Sequence, residues 1–312
     1  MEFGSLAVAL ALVYALFTAI GITLNRYYLK DILEHPATLL FIGKVTTTIV
    51  AVTIGVAVGV SIPTEITVIG FIIIVGLIKS VPLYKFYQVI KEADASVVTP
   101  IISIQPVFTV ILAAIILGER LEPVQYVSVL LVLFGITYLM WLRTGDAFFS
   151  FGDVQGTFFY NRHIVWAFIL AFVWSFEAII VKLILGYQDI VTVFLWTSVA
   201  AFVFSLVFLY KKEARSELTN LKTYNSKAVL AYLSTELITA VGWLALVAAL
   251  AYGPVKIVAP VLHSYSIFLF TFVIIIQMYG PSLDTELAGT KMTQKSIATI
   301  FAITGILLLF VV

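Results

Sequence analysis

Cysteine is absent from the 312 residues of this chain, and histidine and charge are scarce. The lack of cysteine excludes disulfide bonds, thiolate nucleophiles and sulfur ligands for metals. The three histidines, His35, His163 and His263, stand far apart, and no Walker pattern or glycine-rich phosphate loop occurs. The chain therefore lacks the residue clusters that commonly form enzyme active sites and metal sites. We therefore predict a protein that is not an enzyme and that holds no cofactor or metal.

Charged residues make up 11% of the chain and hydrophobic residues 62%. A soluble domain is about one quarter charged and about half apolar, so this composition indicates a membrane protein. A helix that crosses roughly 30 Å of hydrocarbon needs about 20 apolar residues. Such runs occur ten times, at residues 6–25, 37–60, 67–90, 96–117, 123–142, 163–186, 190–210, 227–251, 255–279 and 294–312. Segments such as VFTVILAAIIL do not alternate as barrel strands would. We predict an all-α membrane protein with ten transmembrane helices.

The two halves of the chain resemble one another at a fixed spacing. A connecting loop, 144–162, separates five apolar runs in 6–143 from five in 163–312. At an offset of 160 residues, VTP at 98–100 aligns with VAP at 258–260. Because each half has an odd number of spans, the second half must enter the membrane from the opposite side. We predict two inverted five-helix repeats, with which many transporters expose one site alternately to each side.

Lysine and arginine are concentrated in the loops that follow the odd-numbered spans. The positive-inside rule would place these loops in the cytoplasm and both termini outside. The sequence does not indicate which membrane holds the protein.

The stretch ASVVTPIISIQPVFTVILAAIILGERLEPVQYVSVLLVLFGITYL, residues 95–139, resembles the end of an EamA repeat. Its features are a proline-containing fourth helix that leads into LGERL, and a fifth helix that ends near FGI. FVWSFEAIIVKLIL, residues 172–185, is similar to the opening of that repeat. EamA repeats build the drug/metabolite transporter superfamily. The resemblance implies ten helices, a site between the halves, and solute transport without ATP hydrolysis.

The first half is also similar to the sugar-phosphate translocators, in NRYYLKDILEHP and in PVF of the fourth span. Those carriers place a lysine shortly before PVF and a Lys-Arg pair in the ninth helix to hold phosphate. Here the corresponding stretches, IISIQPVF and HSYSIFLFTFVIII, contain neither. An organic-phosphate or nucleotide-sugar antiporter is therefore the alternative within the class.

Ionisable side chains within a span are expensive and indicate function. In the eighth span, Glu236, Thr239 and Trp243 follow i, i+3, i+7 spacing and share one face. The equivalent face of the third span carries Lys79. Pseudo-symmetry would bring these two faces together, so we predict that Lys79 and Glu236 meet in a substrate site. A purely structural pair is the alternative.

The fourth and ninth spans offer a second polar surface. Ser103 and His263 occupy equivalent positions there, and Tyr265 follows closely. A histidine can bind substrate or carry a proton, or it can be satisfied within the bundle. We predict that these three residues and Tyr14 of the first span line the site.

Glu177 of the sixth span is the candidate for proton coupling, because a carboxylate within the membrane can bind a proton near neutral pH. Lys44 of the second span is its candidate partner. Two charged residues are predicted to lie outside the site: Lys182 is expected to extend to the membrane interface, and Glu119 of LGERL to mark the end of a helix.

Three prolines are predicted to contribute to gating. Pro100 and Pro260 occupy equivalent positions, which we place near helix starts, where a missing N–H is tolerated. Pro106 is predicted to interrupt the middle of the fourth helix and to kink it.

These observations favour a secondary transporter that works by alternating access. Its partners would be the lipid bilayer and a small polar or amphipathic solute, best matched by an amino acid or related zwitterion. Nucleic acid is not expected, and the protein would be a monomer or homodimer. A membrane-embedded enzyme or a passive channel is the alternative from another class.

Overall fold

The computed structural model describes residues 2–31, 35–92, 102, 104–120, 122–144, 162–219, 226–265, 267–268, 271–272, 300–301, 304–305 and 308. All regular structure within these residues is helical. The helices are α1 (Glu2–Asp31), α2 (Pro36–Val58), α3 (Ile66–Glu92), α4 (Gln105–Ile116), α5 (Pro123–Thr144), α6 (Arg162–Leu185), α7 (Ile190–Leu206), α8 (Lys212–Thr219), α9 (Ser226–Tyr252) and α10 (Val255–Leu262). A 3-10 segment, Val207–Tyr210, follows α7.

Six helices, α1, α2, α3, α6, α7 and α9, are long and apolar enough to cross a membrane. This confirms an all-α, multi-pass membrane protein. The ten described helices nevertheless do not coincide one for one with the ten predicted spans. α8 is a short, charged helix between the seventh and eighth spans. The tenth predicted span, 294–312, lies mostly outside the described residues.

Local sequence sets where the helices begin and end. The His35 ring accepts a hydrogen bond of 3.2 Å from the N–H of Ala37, and Pro36 occupies the first helical position of α2. Gly59 ends α2 with a φ of 83°, a conformation that glycine adopts without steric cost. Between such ends, hydrocarbon offers no hydrogen bonds, so an apolar chain satisfies its own backbone as a helix.

Small residues let the helices approach one another closely. A Cβ atom added to Gly76 of α3 would lie 2.5 Å from the Cβ of Ala200 on α7. One added to Gly21 of α1 would lie 2.8 Å from the Thr239 hydroxyl on α9. Such close backbone contact supplies the dispersion energy that holds membrane helices together. The most extensive helix pairs are α1–α9, α3–α7, α2–α7, α3–α6, α4–α6, α2–α9, α1–α10 and α4–α10.

The prolines lie at positions other than those expected. Pro106 belongs to the first turn of α4, which begins at Gln105, so it does not interrupt the middle of a continuous helix. Pro260 lies inside α10 rather than near its start. The N–H groups in the first turn of a helix have no acceptor within that helix, so a proline such as Pro106 is tolerated there. Pro260, inside α10, removes a backbone hydrogen bond from that helix. Pro100 lies outside the described residues.

Candidate functional site

Four helices bring together a central charged cluster, which consists of Lys44 on α2, Lys79 on α3, Glu177 on α6 and Glu236 on α9. Lys44 interacts electrostatically with both carboxylates. Lys79 interacts with Lys44 and with Glu177. The four formal charges balance, and each lies within a helix long enough to cross the membrane. Charges at such depth are tolerated when they face one another inside the bundle.

Lys79 lies against an aromatic ring. Its Nζ atom is 3.5 Å from the centroid of the Trp243 ring, a cation–π contact between α3 and α9. Lys79 also interacts electrostatically with Lys44 and Glu177, and Glu236 interacts with Lys44. Lys79 and Glu236 thus share Lys44 as a neighbour, and their direct meeting stays a prediction. Trp243 is a residue of α9 that contacts Lys79.

Glu236 packs against a glycine. A Cβ atom added to Gly43 of α2 would lie 2.7 Å from the Oε2 atom of Glu236. Tyr232, one turn earlier on α9, lies beside the same carboxylate. Its hydroxyl donates a 3.0 Å hydrogen bond to the main-chain oxygen of Leu39. Tyr87 of α3 interacts with the carboxylate electrostatically. The sequence prediction missed these three neighbours, although the spacing of Tyr232 and Glu236 along one helix face could have indicated that contact.

Thr239 lies at the seam between α1 and α9, against Gly21. Its hydroxyl donates a 3.0 Å hydrogen bond to the main-chain oxygen of Thr235. The hydroxyl proton thus forms a hydrogen bond within α9, and the side chain packs against α1.

Tyr14, Tyr265 and His263 extend from Glu177 toward α10. Tyr14 interacts with Glu177 and with Tyr265, and the rings of Tyr265 and His263 have centroids 6.0 Å apart. Nδ1 of His263 lies 2.8 Å from the main-chain oxygen of Ala259. A carbonyl oxygen only accepts, so Nδ1 carries the proton in this contact. The Nε2 atom of a neutral His263 is then a hydrogen-bond acceptor.

The structure therefore gathers Lys44, Lys79, Glu177, Glu236, Trp243, Tyr14, Tyr265 and His263 into one connected region. Thr239 lies beside it at a helix seam. Pro106 is buried in the first turn of α4, and Pro260 is buried within α10. Ser103 and Pro100 lie outside the described residues. Among the described residues, no group of three His, Asp or Glu could hold a metal.

Two charged residues outside the cluster stabilise the junction of α9 and α10. The Lys182 ammonium donates to the main-chain oxygens of Leu250, at 2.6 Å, and Gly253, at 3.0 Å. The expected extension of Lys182 to the membrane interface stays a prediction. The Glu119 carboxylate accepts hydrogen bonds from the N–H groups of Val255, at 3.1 Å, and Lys256, at 2.8 Å. A cation thus meets the C-terminus of α9, and an anion meets the N-terminus of α10.

A cavity of about 570 Å³ lies away from the cluster, at the turn between α6 and α7. Its two charged lining residues are Lys182 and Asp189. Lys182 binds carbonyl oxygens at the end of α9, and Asp189 caps α7. Since both groups are already used to satisfy helix ends, we do not place the solute site in this cavity.

Comparisons with known proteins agree with this architecture. Residues 5–141 match the model of the EamA-like transporter family. No curated protein matches the chain. Twenty-seven chains of solved structures do match. One crystal structure, described only as that of a protein, has a TM-score of 0.70 and 16% identity, and the match covers 99% of this chain and 95% of that one. At this identity the likeness shows a shared fold alone.

Proposed function

Residues 5–141 match the model of the EamA-like transporter family, and on this premise we propose that the chain is a secondary transporter working by alternating access. It moves a small polar or amphipathic metabolite, best matched by an amino acid or related zwitterion. The solute binds at the central charged cluster, between the two halves of the chain. The observation that carries the proposal is the meeting of four balanced charges from four helices, two from each half.

The packing of the helices supports two inverted repeats. With the halves 6–143 and 163–312, the equivalent helices are α1 and α6, α2 and α7, α3 and α9, and α4 and α10. The observed pair α1–α9 then has the counterpart α6–α3, and α3–α7 has α9–α2. Likewise the pair α4–α6 has the counterpart α10–α1. The pairs α2–α7 and α4–α10 each join two equivalent helices, so each is its own counterpart. A pseudo-twofold axis produces this pairing of contacts, and an unrelated bundle has no reason to.

A helix break at equivalent positions gives a second, local argument for the repeats. The N–H of Val107 donates to the oxygen of Ile104 at 2.9 Å, and that of Ile267 donates to the oxygen of Ser264 at 2.9 Å. These contacts are 160 residues apart. α4 and α10 are also too short to cross the membrane unaided, since a crossing takes about 20 residues. Broken helices beside the axis are typical of transporters that bind solute near the bilayer midplane.

The charge of the cluster favours a zwitterion over an organic phosphate. Lys44 and Lys79 are matched by Glu177 and Glu236, so there is no excess of positive charge for a phosphate group. A zwitterion preserves the balance. The aromatic rings of Trp243 and Tyr14, and that of Tyr265 beside them, would offer apolar surface to the rest of the solute.

Counterflow in proteoliposomes tests the proposal. Vesicles that contain the purified chain and are preloaded with one of a set of unlabelled amino acids, sugar phosphates or nucleotide sugars receive the labelled solute outside. We expect transient accumulation of an amino acid, because a carrier exchanges bound solutes whereas a passive channel does not. Uptake without trans-stimulation would indicate a channel, and chemical conversion of the solute would indicate an enzyme.

A further inference from the structure

Two neighbouring donors in the cluster lack an acceptor. Nζ of Lys79 and Nε1 of Trp243 are buried and have no hydrogen-bond partner among the described residues. The two side chains are 7% and 8% exposed. An unsatisfied buried donor costs about 1–3 kcal/mol, and more when it is charged. Native proteins hold few such groups, so an adjacent pair calls for an explanation.

The surrounding groups define the ligand that would satisfy these donors. An ammonium and an indole N–H donate only, so the ligand atom must be an acceptor. Lys44 interacts electrostatically with Lys79, so two cationic side chains lie near these donors and favour an anionic acceptor, with Glu177 as their counter-charge. Nζ of Lys79 lies over the face of the Trp243 ring. The indole N–H points outward from the edge of that ring, so the two donors call for an acceptor group with two oxygen atoms, one for each donor.

The two carboxylates of the cluster are suited to a cation. Glu236 is held by its close packing against Gly43 and by Tyr232, and Glu177 faces the two lysines from α6. A solute that brought only an anionic group would leave the region with an excess negative charge. A cationic group on the same solute, directed toward Glu177 and Glu236, restores the balance.

We infer that Lys79 and Trp243 form the carboxylate subsite of the transporter, and that its substrate therefore carries one carboxylate together with a cationic group. This inference rests on the proposed transport function and adds the orientation of the solute within it. The carboxylate of the solute accepts hydrogen bonds from Nζ of Lys79 and Nε1 of Trp243. The cationic group faces the two glutamates.

Ligand binding to the purified full-length chain tests the subsite. The probes are L-alanine, L-leucine and L-phenylalanine, each compared with its amide and with its decarboxylated amine. We expect acids, and not amides or amines, to raise the melting temperature, because a ligand that binds the folded state stabilises it by mass action. Each acid differs from its amide and its amine only at the carboxyl group, so the comparison isolates the contribution of that group.

Variants of the two donors assign the effect to these residues. We expect Lys79→Met and Trp243→Phe each to weaken the binding of the acid by about tenfold or more, as the loss of a hydrogen bond to a charged group does. Trp243→Phe removes the indole N–H and keeps an aromatic ring. It therefore still tests the subsite if Lys79→Met fails to fold. Lys85→Met is the matched control, because Nζ of Lys85 also lies over a tryptophan ring, 4.7 Å from the centroid of Trp166, on the same helix and outside the cluster.

The outcomes separate the subsite from the transport function. Equal binding of acids and amides, or unchanged affinity in both donor variants, overturns the subsite. Binding of a sugar phosphate or nucleotide sugar with none of the acids also overturns it, but leaves transport standing. Absence of counterflow for every solute contradicts the transport function itself.

Discussion

The Glu236 carboxylate occupies space that only a glycine at position 43 leaves open, since a Cβ atom there would lie 2.7 Å from Oε2. Lys44 is the next residue and interacts with the same carboxylate. The position of Glu236 therefore depends on a residue with no side chain. No motif in the sequence distinguishes Gly43 from the other glycines of the apolar spans.

Gly43→Ala is expected to displace Glu236 and to reduce counterflow. Overpacking of this kind costs about 1–3 kcal/mol, so we also expect a lower melting temperature. Gly70→Ala is the matched control, because a Cβ atom there meets nothing within 4 Å and alanine favours a helix by up to about 1 kcal/mol. Normal transport by Gly43→Ala would show that the position of Glu236 is unimportant.

Glu177→Gln tests whether this carboxylate couples transport to protons. Glutamine keeps the shape of the side chain, but its amide neither gains nor loses a proton near neutral pH. If Glu177 carries the coupled proton, transport by the variant no longer responds to an imposed pH gradient. The measurement is uptake with and without the gradient, with Glu65→Gln, on the exposed α2–α3 loop, as control. An unchanged response to the gradient assigns coupling elsewhere.

At the scale of helices, the ends are stabilised by specific polar contacts. Asp189 accepts hydrogen bonds from the N–H groups of Val191, at 2.9 Å, and Thr192, at 3.0 Å, at the start of α7. Burial by itself would raise the pKa of the Asp189 carboxyl. Hydrogen bonds from the Thr192 hydroxyl and from these N–H groups outweigh burial and lower the pKa below its usual value.

Asp189→Ala is expected to destabilise the protein by about 1 kcal/mol at neutral pH, as the loss of an N-cap does. Because the folded pKa is depressed, the charge contributes stability above the unfolded pKa of about 3.9, and this contribution disappears as the pH falls through the folded value. Thermal unfolding in detergent at neutral and acidic pH measures the difference between variant and parent. A difference that does not shrink in acid would contradict the assignment. Asp189→Asn keeps the cap without the charge and is the control.

The helix breaks were harder to predict than the helices. Apolar length located most of the spans, because hydrocarbon forces any such segment to form its own hydrogen bonds. Proline positions suggested a start at Pro260 and a kink at Pro106. The structure instead places Pro260 inside α10 and Pro106 in the first turn of α4. Whether a proline begins or interrupts a helix depends on neighbouring helices that take over the freed backbone groups.

At the scale of the whole molecule, polar contacts join the two halves on the face where α4 ends and α10 begins. The Lys256 ammonium donates to the main-chain oxygen of Arg120, and the Glu119 carboxylate caps the helix that follows. These contacts join the segment after α4, in the first half, to the start of α10, in the second. Under the proposed alternating-access mechanism, this face opens during each cycle.

Cross-linking the two halves is therefore expected to stop transport. The chain contains no native cysteine, so Arg120→Cys and Lys256→Cys introduce the only thiols. A cleavable thiol cross-linker should abolish counterflow, and reduction should restore it. Ser61→Cys with Glu65→Cys, both on the exposed α2–α3 loop of one half, is the matched control and should remain active after cross-linking. Full activity of the cross-linked 120–256 pair would show that this face does not open.

The sequence by itself determined the membrane environment, the helical class, most of the spans and the small set of ionisable residues within them. These follow from local physics, since apolar length forces helix formation and buried charge is too expensive to retain without a use. Only the tertiary structure decided which charges meet. Lys79 lies over Trp243, Lys44 lies between two glutamates, and Gly43 makes room for Glu236. Such contacts depend on the rotation and distance of packed helices, which residue spacing along one helix does not contain.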